Sequence, residues 1–241
     1  MLRAATLLAL ALLSPPAGAQ QSWRADDFMA VPAPRVRLPL STGARVVETA
    51  PVGLALGVLR RIGEAAGVQA TLYIVEGDEF RAFVGGGLPA GAIGLSLGAL
   101  TVLGTNADRM AAVLAHELAH VKLAHIAGAQ VRNGFIELLG ALAGAAVEAR
   151  TGVPLGGVLT GTAGRAAAAA FDRQQELDAD ALGIDWMRRA GYNPQGALDV
   201  LERLTGSGGW FASHPSGADR VEAARRRIAQ PVSQAPYSSS P

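Results

Sequence analysis

The 241-residue sequence predicts an α+β fold that is predominantly helical, in which one helix precedes a small sheet and several helices follow it. Half of the residues are hydrophobic, which is enough to bury a sizeable core in one medium domain. Aromatic residues make up only 5% of the chain, so Ala, Gly and Leu supply most of the apolar side chains, a composition typical of closely packed helices. A β-branched and aromatic run begins at Thr71, and the small sheet is predicted within residues 71–97.

The first 19 residues predict a secretory signal peptide. Arg3 gives a basic start, residues 4–13 are apolar, and Ala17-Gly18-Ala19 fits a cleavage site. The apolar run falls well short of the roughly 20 residues that a membrane-spanning helix needs. We therefore expect export to a periplasm, with an uncleaved N-terminal anchor as the alternative. The chain has no cysteine, which excludes disulfides, thiolate catalysis and cysteine zinc ligands.

The elements before residue 100 are predicted from composition and periodicity. Residues 20–50 are rich in Pro and Arg with little periodicity, and they predict an extended N-terminal arm or linker. Apolar positions between residues 51 and 66 allow a helix that ends near Gly67. Three strands are then predicted, at 71–75, 79–84 and 92–97.

The remaining elements are predicted to be helices up to a flexible tail at residues 230–241. The first is capped by Asn106 or Asp108 and runs to about Ile126. The next three are expected at residues 134–149, 163–189 and 193–204, and the last begins at Ser216-Gly217. Ala190-Gly191 suits the left-handed end of the third. The Ala/Gly-rich stretch of residues 134–170 favours a buried or membrane-surface helix over a transmembrane one, because acidic residues interrupt it.

The charge of the chain is nearly balanced. Lys and Arg number 21 against 20 Asp and Glu, so the formal net charge is +1. Such a chain offers no broad positive field for nucleic acid, and we expect no nucleic-acid partner. Local arginine clusters such as residues 225–227 lie near predicted helix ends, where cations complement the helix dipole.

Two of the four histidines lie in a helical stretch with metal-ligand spacing. In His116-Glu117-Leu118-Ala119-His120 the histidines are four residues apart, so both imidazoles point to one side of a helix. They can bind one zinc ion, and Glu117 between them can reach a metal-bound water. The alternative is two surface histidines beside an ordinary glutamate. The mechanism behind each position makes the metal site the stronger interpretation.

A catalytic zinc needs a third protein ligand and one open position. His125 lies nine residues beyond His116, about 180° around the helix, and is a poor candidate. Glu176 and Asp180 are four apart on a predicted helix. One of them can bind zinc while the other accepts the Nδ1 proton of a ligating histidine. An isolated acidic pair is usually a solvated face, but the upstream histidines reverse that expectation.

At these residues the sequence resembles the zinc metallopeptidase family that includes HtpX, BepA and the CAAX prenyl protease. The resemblance covers about residues 50–229. It rests on residues 116–125, on residues 176–180, on Ala190-Gly191-Tyr192-Asn193-Pro194, on His214-Pro215 followed by Arg220, and on the glycine-containing strand region at 79–97. The joint occurrence of these segments in order is far more specific than the histidine motif alone.

The resemblance implies a zincin-like metallopeptidase domain with a small sheet beside the metal-binding helix. It implies one zinc ion held by His116, His120 and Glu176, with Asp180 supporting a ligand. It also implies that His214 and Arg220 approach the cleft. His214 would then stabilise an oxyanion or cap the open zinc position, and Arg220 would hold its loop through a carboxylate. A surface turn is the alternative for His214.

The resemblance further implies an endopeptidase whose polypeptide substrates are misfolded or misassembled envelope proteins. Glu117 would take the proton of the attacking water, and the substrate would add a strand to the sheet edge at Phe83, Gly85 and Ile93. Residue 81 is Arg where many members carry Asn, which alters this edge. Two alternatives stay open: a chaperone-like module with a latent zinc site, and a hydrolase of a different substrate class. Contact with a membrane surface also stays open.

Overall fold

The computed structural model describes residues 8–9, 21–30, 32–85, 87–123, 163–203, 214 and 217–231. The predicted helix at residues 134–149, the end of the helix predicted to reach Ile126, and nearly all of the predicted tail lie outside these residues. Of the predicted signal peptide, the structure describes only the two residues of one strand. In the described part of the chain, helices predominate and the strands form two small sheets, so the predicted α+β fold is confirmed.

The chain before residue 49 contains the elements β1 (Leu8–Ala9), β2 (Ser22–Arg24), α1 (Ala25–Met29), β3 (Arg35–Leu40) and β4 (Gly43–Glu48). β3 and β4 form an antiparallel hairpin, and β1 lies parallel to β3. The expectation of an extended arm or linker between residues 20 and 50 thus needs correction. Trp23 and Phe28 are buried in the core, and burial of such large side chains ties this segment to the domain.

The main sheet lies in the next part of the chain, which contains α2 (Thr49–Ala66), β5 (Thr71–Val75), β6 (Ala82–Val84), β7 (Ala92–Ser96) and α3 (Leu97–Leu103). Its strand order is β2-β5-β7-β6, with β5 and β7 parallel and the other pairs antiparallel. β6 is therefore an edge strand. Gly67 ends α2 in the left-handed conformation that glycine adopts without strain, as its sequence position predicts.

The predicted strands at the sheet edge are longer than the observed ones. β6 begins at Ala82 rather than Glu79, and β7 ends at Ser96 rather than Leu97. Ser96 ends β7 because its hydroxyl accepts a hydrogen bond from the Ala99 backbone N–H and so caps α3. The same hydroxyl donates to the Glu79 carbonyl oxygen at 2.7 Å, which holds the residues before β6 outside the ladder.

The C-terminal part of the chain contains the helices α4 (Ala107–Lys122), α5 (Ala163–Arg189), α6 (Gln195–Arg203) and α7 (Ala218–Ala229). α4 lies at the centre of the core and contacts α2, α5, α6 and the strands β6 and β7. Every residue from Met110 to His120 is buried. Asn106 caps α4 by accepting a hydrogen bond from the Arg109 N–H, as predicted. None of the helices among the described residues is both long and apolar enough to cross a membrane.

Candidate metal centre

The two histidines of α4 converge on one point. Their four-residue spacing puts both rings on the same side of the helix. The two Nε2 atoms are 3.0 Å apart, and both side chains are buried. Burial of two imidazoles removes the water that would otherwise bind their nitrogen atoms. Their burial is costly unless a hydrogen-bonding group or a metal ion takes the place of that water.

Helix α5 supplies carboxylates to the same point. Glu176, Asp180 and Gly183 recur at intervals of four and three residues, so they share the helix face that lies against α4. A Cβ atom on Gly183 would lie 3.2 Å from the His116 backbone nitrogen. The missing side chain therefore lets α5 approach α4 closely at the level of the metal centre. The sequence interpretation did not identify Gly183, although its spacing from Glu176 and Asp180 was a readable signal.

Glu176 faces the histidine pair directly. Its carboxylate oxygens lie 3.2 Å from His116 Nε2 and 3.3 Å from His120 Nε2. Asp180 instead contacts the far side of the His116 ring, with 2.9 Å between Oδ1 and Nδ1. The structure thus places Glu176 where a metal ligand would lie and Asp180 where a carboxylate orients a ligating imidazole.

His214 enters the site from the segment before α7. Its Nδ1 lies 3.2 Å from His116 Nε2 and 3.0 Å from Glu176 Oε1. Its Nε2 lies 3.3 Å from Glu117 Oε1, so the ring also contacts the carboxylate between the two α4 histidines. Glu117 itself is buried, with 1% of its surface exposed.

Arg220 lies behind the ligand residues and is also buried, with 1% of its surface exposed. Its Nε and Nη2 donate to the two Asp180 carboxylate oxygens at 2.7 and 2.8 Å. Its Nη1 lies 2.9 Å from Glu176 Oε2 and donates to the His214 carbonyl oxygen at 3.4 Å. The arginine therefore links both α5 carboxylates to the backbone of His214.

The donor set suits one zinc ion. Donor atoms of His116, His120, Glu176 and His214 all lie within 4.8 Å of one another, and all four residues are buried. Zinc–nitrogen distances of about 2.0–2.1 Å in a tetrahedron place neighbouring ligand atoms about 3.3 Å apart. The observed separations of 3.0 to 3.3 Å between donors match that value.

The electrostatics of the cluster follow from burial and charge pairing. Burial alone would lower the pKa of His116, but the carboxylates of Glu176 and Asp180 outweigh it and raise that pKa to about 10. Burial would raise the pKa of Glu176, yet His116 and the other histidines hold it far below its usual range. For Asp180 the hydrogen bonds from His116 and Arg220 likewise overcome burial and lower its pKa. The pKa of His120 is lowered, chiefly by burial.

The predicted substrate-binding residues do not all lie at the exposed edge of the sheet. Phe83 is on β6, and Gly85 follows that strand directly. Ile93 is on β7, between β5 and β6, and is fully buried. Its backbone already pairs on both sides, so β6 and not β7 forms this edge of the sheet in the described part of the chain. His125 and Pro215 lie outside the described residues.

Sequence comparisons match this chain to a protein family and to several known proteins. A family model described as Peptidase family M48 matches residues 57–228. The beta-barrel assembly-enhancing protease of Escherichia coli strain K12 is 30% identical over 174 residues, which cover 66% of this chain and 34% of that protein. Metalloprotease LoiP of the same strain is 29% identical over 129 residues, which cover 50% of each chain. A mitochondrial metalloendopeptidase of Arabidopsis thaliana is 28% identical over 138 residues, which cover 55% of this chain and 27% of that protein. The chain thus spans about a third of the length of the first of these relatives.

Proposed function

Because the chain belongs to peptidase family M48 and carries its zinc metalloendopeptidase domain, we propose that it is an exported endopeptidase in which Glu117 activates the attacking water. The observation that carries this proposal is the convergence of four buried donors on one point with the Glu117 carboxylate beside them. In this proposal His116, His120 and Glu176 hold the zinc ion, and Asp180 and Arg220 position the ligands.

The chemistry is hydrolysis of a peptide bond. Bound zinc supplies Lewis acidity, which polarises the scissile carbonyl and lowers the pKa of water to about 7. Glu117 takes one proton from the attacking water and passes it to the nitrogen of the leaving amine. The water oxygen bonds to the carbonyl carbon, the C–N bond breaks, and an acid and an amine result. In this proposal His214, whose Nε2 lies 3.3 Å from Glu117 Oε1, donates a hydrogen bond to the developing oxyanion.

The substrates in this proposal are extended polypeptides. β6 is the edge of the main sheet in the described part of the chain and contacts α4, so a strand added there would run past the metal centre. The predicted signal peptide and the name of the beta-barrel assembly-enhancing relative support a role in envelope protein quality control in the periplasm. Misfolded or misassembled envelope proteins are the substrates we propose.

The proposal is tested with the chain that begins at residue 20, compared with its Glu117→Gln variant. Both are expected to bind one zinc per chain, because Glu117 is not among the ligands. Proteolysis of unfolded casein is expected to fall by about 10²- to 10⁴-fold in the variant, which keeps the shape of the side chain and loses the base. Equal rates for the two proteins would refute Glu117 as the base.

A second function is favoured by the position of His214. With its Nδ1 3.2 Å from His116 Nε2, His214 would serve as a fourth donor, and four protein donors would leave a tetrahedral zinc ion no open position for water. The chain would then be a latent, chaperone-like module that binds clients with little proteolysis. The His214→Ala variant separates the two: casein cleavage that rises supports latency, whereas cleavage that falls supports a catalytic role for His214.

A further inference from the structure

An arginine at the start of the edge strand has no role in the metal centre. Arg81 directly precedes β6, and two hydrogen bonds to Ser96 hold its backbone in place. The Arg81 N–H donates to Ser96 Oγ at 3.0 Å, and the Ser96 N–H donates to the Arg81 carbonyl oxygen at 2.9 Å. Because these bonds use only the Arg81 backbone, its side chain is available for another contact.

The Arg81 guanidinium lies over an aromatic ring rather than beside an acid. Its carbon Cζ is 5.2 Å from the centre of the Phe83 ring, which is cation–π distance. Among the described residues no carboxylate forms an ion pair with it. The positive charge is therefore held in a defined place on the edge strand and is not neutralised there by an acidic side chain.

The ring under this charge is itself fixed by a close approach to the sheet. A Cβ atom on Gly94 would lie 2.7 Å from Phe83 Cζ and 3.0 Å from Leu88 Cδ1, so both side chains occupy the space that glycine leaves. A turn in which the Leu88 N–H donates to the Gly85 carbonyl oxygen at 3.1 Å returns Leu88 to this face. The face thus has a basic end at Arg81 and an apolar end at Phe83 and Leu88.

Because side chains alternate along a strand, this face can favour particular side chains in a bound polypeptide. Arg81 and Phe83 are two residues apart and lie on one face, whereas Ala82 between them points into the core and is fully buried. A polypeptide added to the β6 edge places every second side chain on this same face, next to its cross-strand neighbours. We propose that Arg81 and Phe83 select substrates with an acidic side chain two positions from an apolar one. This inference rests on the proposed function, since it concerns the same docking edge.

The first test measures binding, independently of cleavage. The zinc-loaded Glu117→Gln variant is titrated with fluorescent ten-residue peptides, and their affinities are measured. Each peptide contains one Leu at a constant position, and a single Glu or Gln is placed at one of the remaining positions. At two residues from the Leu, on one side, Glu is expected to bind about two- to fivefold more tightly than Gln, the range for an opposite-charge cross-strand pair. The preference should shrink as salt concentration rises.

Variants of Arg81 assign the preference to this side chain. Arg81→Gln removes the positive charge and should bring the affinities for the Glu and Gln peptides to the same value. Arg81→Glu reverses the charge and should make the Gln peptide bind more tightly. Both variants keep the backbone bonds to Ser96. Arg37→Gln, which removes an exposed arginine from β3 in the other sheet, should leave the ratio unchanged. The same ratios should appear in kcat/KM when the peptides are cleaved by the protein with Glu117 intact.

The outcomes separate this inference from the proposed function. A Glu-over-Gln ratio that is the same in Arg81→Gln and parent overturns the inference, even if casein is cleaved in a Glu117-dependent way. An Arg81-dependent ratio in binding supports the inference even if no peptide is cleaved, in which case the proposed chemistry fails alone. Absence of binding by every peptide overturns the docking edge and the inference together.

Discussion

Arg220 shows how single residues set the chemistry of the ligands. A buried guanidinium is tolerated when carboxylates pair with it, and Arg220 faces both Asp180 and Glu176 within 2.9 Å. The arginine thereby helps keep Asp180 ionised, in line with its lowered pKa. An ionised Asp180 accepts a hydrogen bond from the His116 Nδ1–H. Once Nε2 has lost its proton, its lone pair is therefore directed at the point where the other donors meet.

The raised pKa of His116 predicts that zinc binding releases protons. Without metal this imidazole is protonated up to about pH 10, whereas a zinc ligand must be neutral. At pH 8 about one proton per chain should be released, and apparent zinc affinity should fall about tenfold for each pH unit below about pH 10. Calorimetry of zinc binding in buffers of different ionisation enthalpy measures the proton count.

The Asp180→Asn variant is the control for this linkage. It removes one of the carboxylates that raise the His116 pKa, so fewer protons should be released at pH 8, and zinc should bind about 10- to 100-fold more weakly.

The raised pKa of His116 also makes the stability of the metal-free protein depend on pH. Its charged His116 stabilises the fold fully below pH 6.5, and this contribution is lost as pH rises toward about 10. Zinc binding without proton release at pH 8 would contradict the raised pKa.

At the scale of elements, the centre depends on how closely α5 lies against α4. Each helix carries its site residues, the His116 and His120 pair or the Glu176 and Asp180 pair, at a four-residue spacing. This spacing fixes the direction of the side chains but not their distance from the other helix. Gly183 sets that distance, because a side chain there would press on the backbone at Ala115 and His116. The α4 histidines and the α5 carboxylates therefore meet only if the helices pack at this separation.

Paired glycine substitutions test this dependence. Gly183→Ala is expected to lower the free energy of unfolding by about 1–3 kcal/mol and to weaken zinc binding, because its Cβ would lie 3.2 Å from the His116 nitrogen. Gly57→Ala is the matched control on α2. A Cβ there meets nothing within 4 Å, so the lower entropy of the unfolded chain should stabilise the protein by about 0.5–1 kcal/mol.

Urea denaturation and zinc titration of both variants give the comparison. If Gly183→Ala stabilised the protein as much as Gly57→Ala and bound zinc like the parent, the close approach of α5 would not control the site.

Elements specified by local pattern are the ones that the sequence predicts well. α5 spans Ala163–Arg189 and β5 spans Thr71–Val75, as predicted, because periodicity and end signals lie within each segment. β3 went unpredicted although Val36 and Leu38 are buried and alternate with exposed residues, since Pro39 and the surrounding arginines obscured the pattern. The burial of Ile93 depends on strand order, which no local pattern contains.

At the scale of the whole molecule, the segment before residue 49 completes the domain. The family match begins at residue 57, yet β2 pairs with β5 and so covers one edge of the main sheet. Trp23 and Phe28 add large buried side chains to the core that also contains α4. This segment therefore supports the sheet and helix that position the site, although no ligand lies in it among the described residues.

Truncation measures that support. A chain that begins at residue 51 should unfold at lower urea concentration than one that begins at residue 20, and should aggregate more, because loss of β2 exposes the β5 edge.

Trp23→Ala in the longer chain should lower the free energy of unfolding by about 3–5 kcal/mol, as expected for a large side chain removed from a core. Val46→Ala, at a valine on β4 that is 50% exposed, should change the free energy of unfolding by less than about 0.5 kcal/mol. Equal urea midpoints for the two chain lengths would mean that residues 20–50 pack against a domain that is already complete without them.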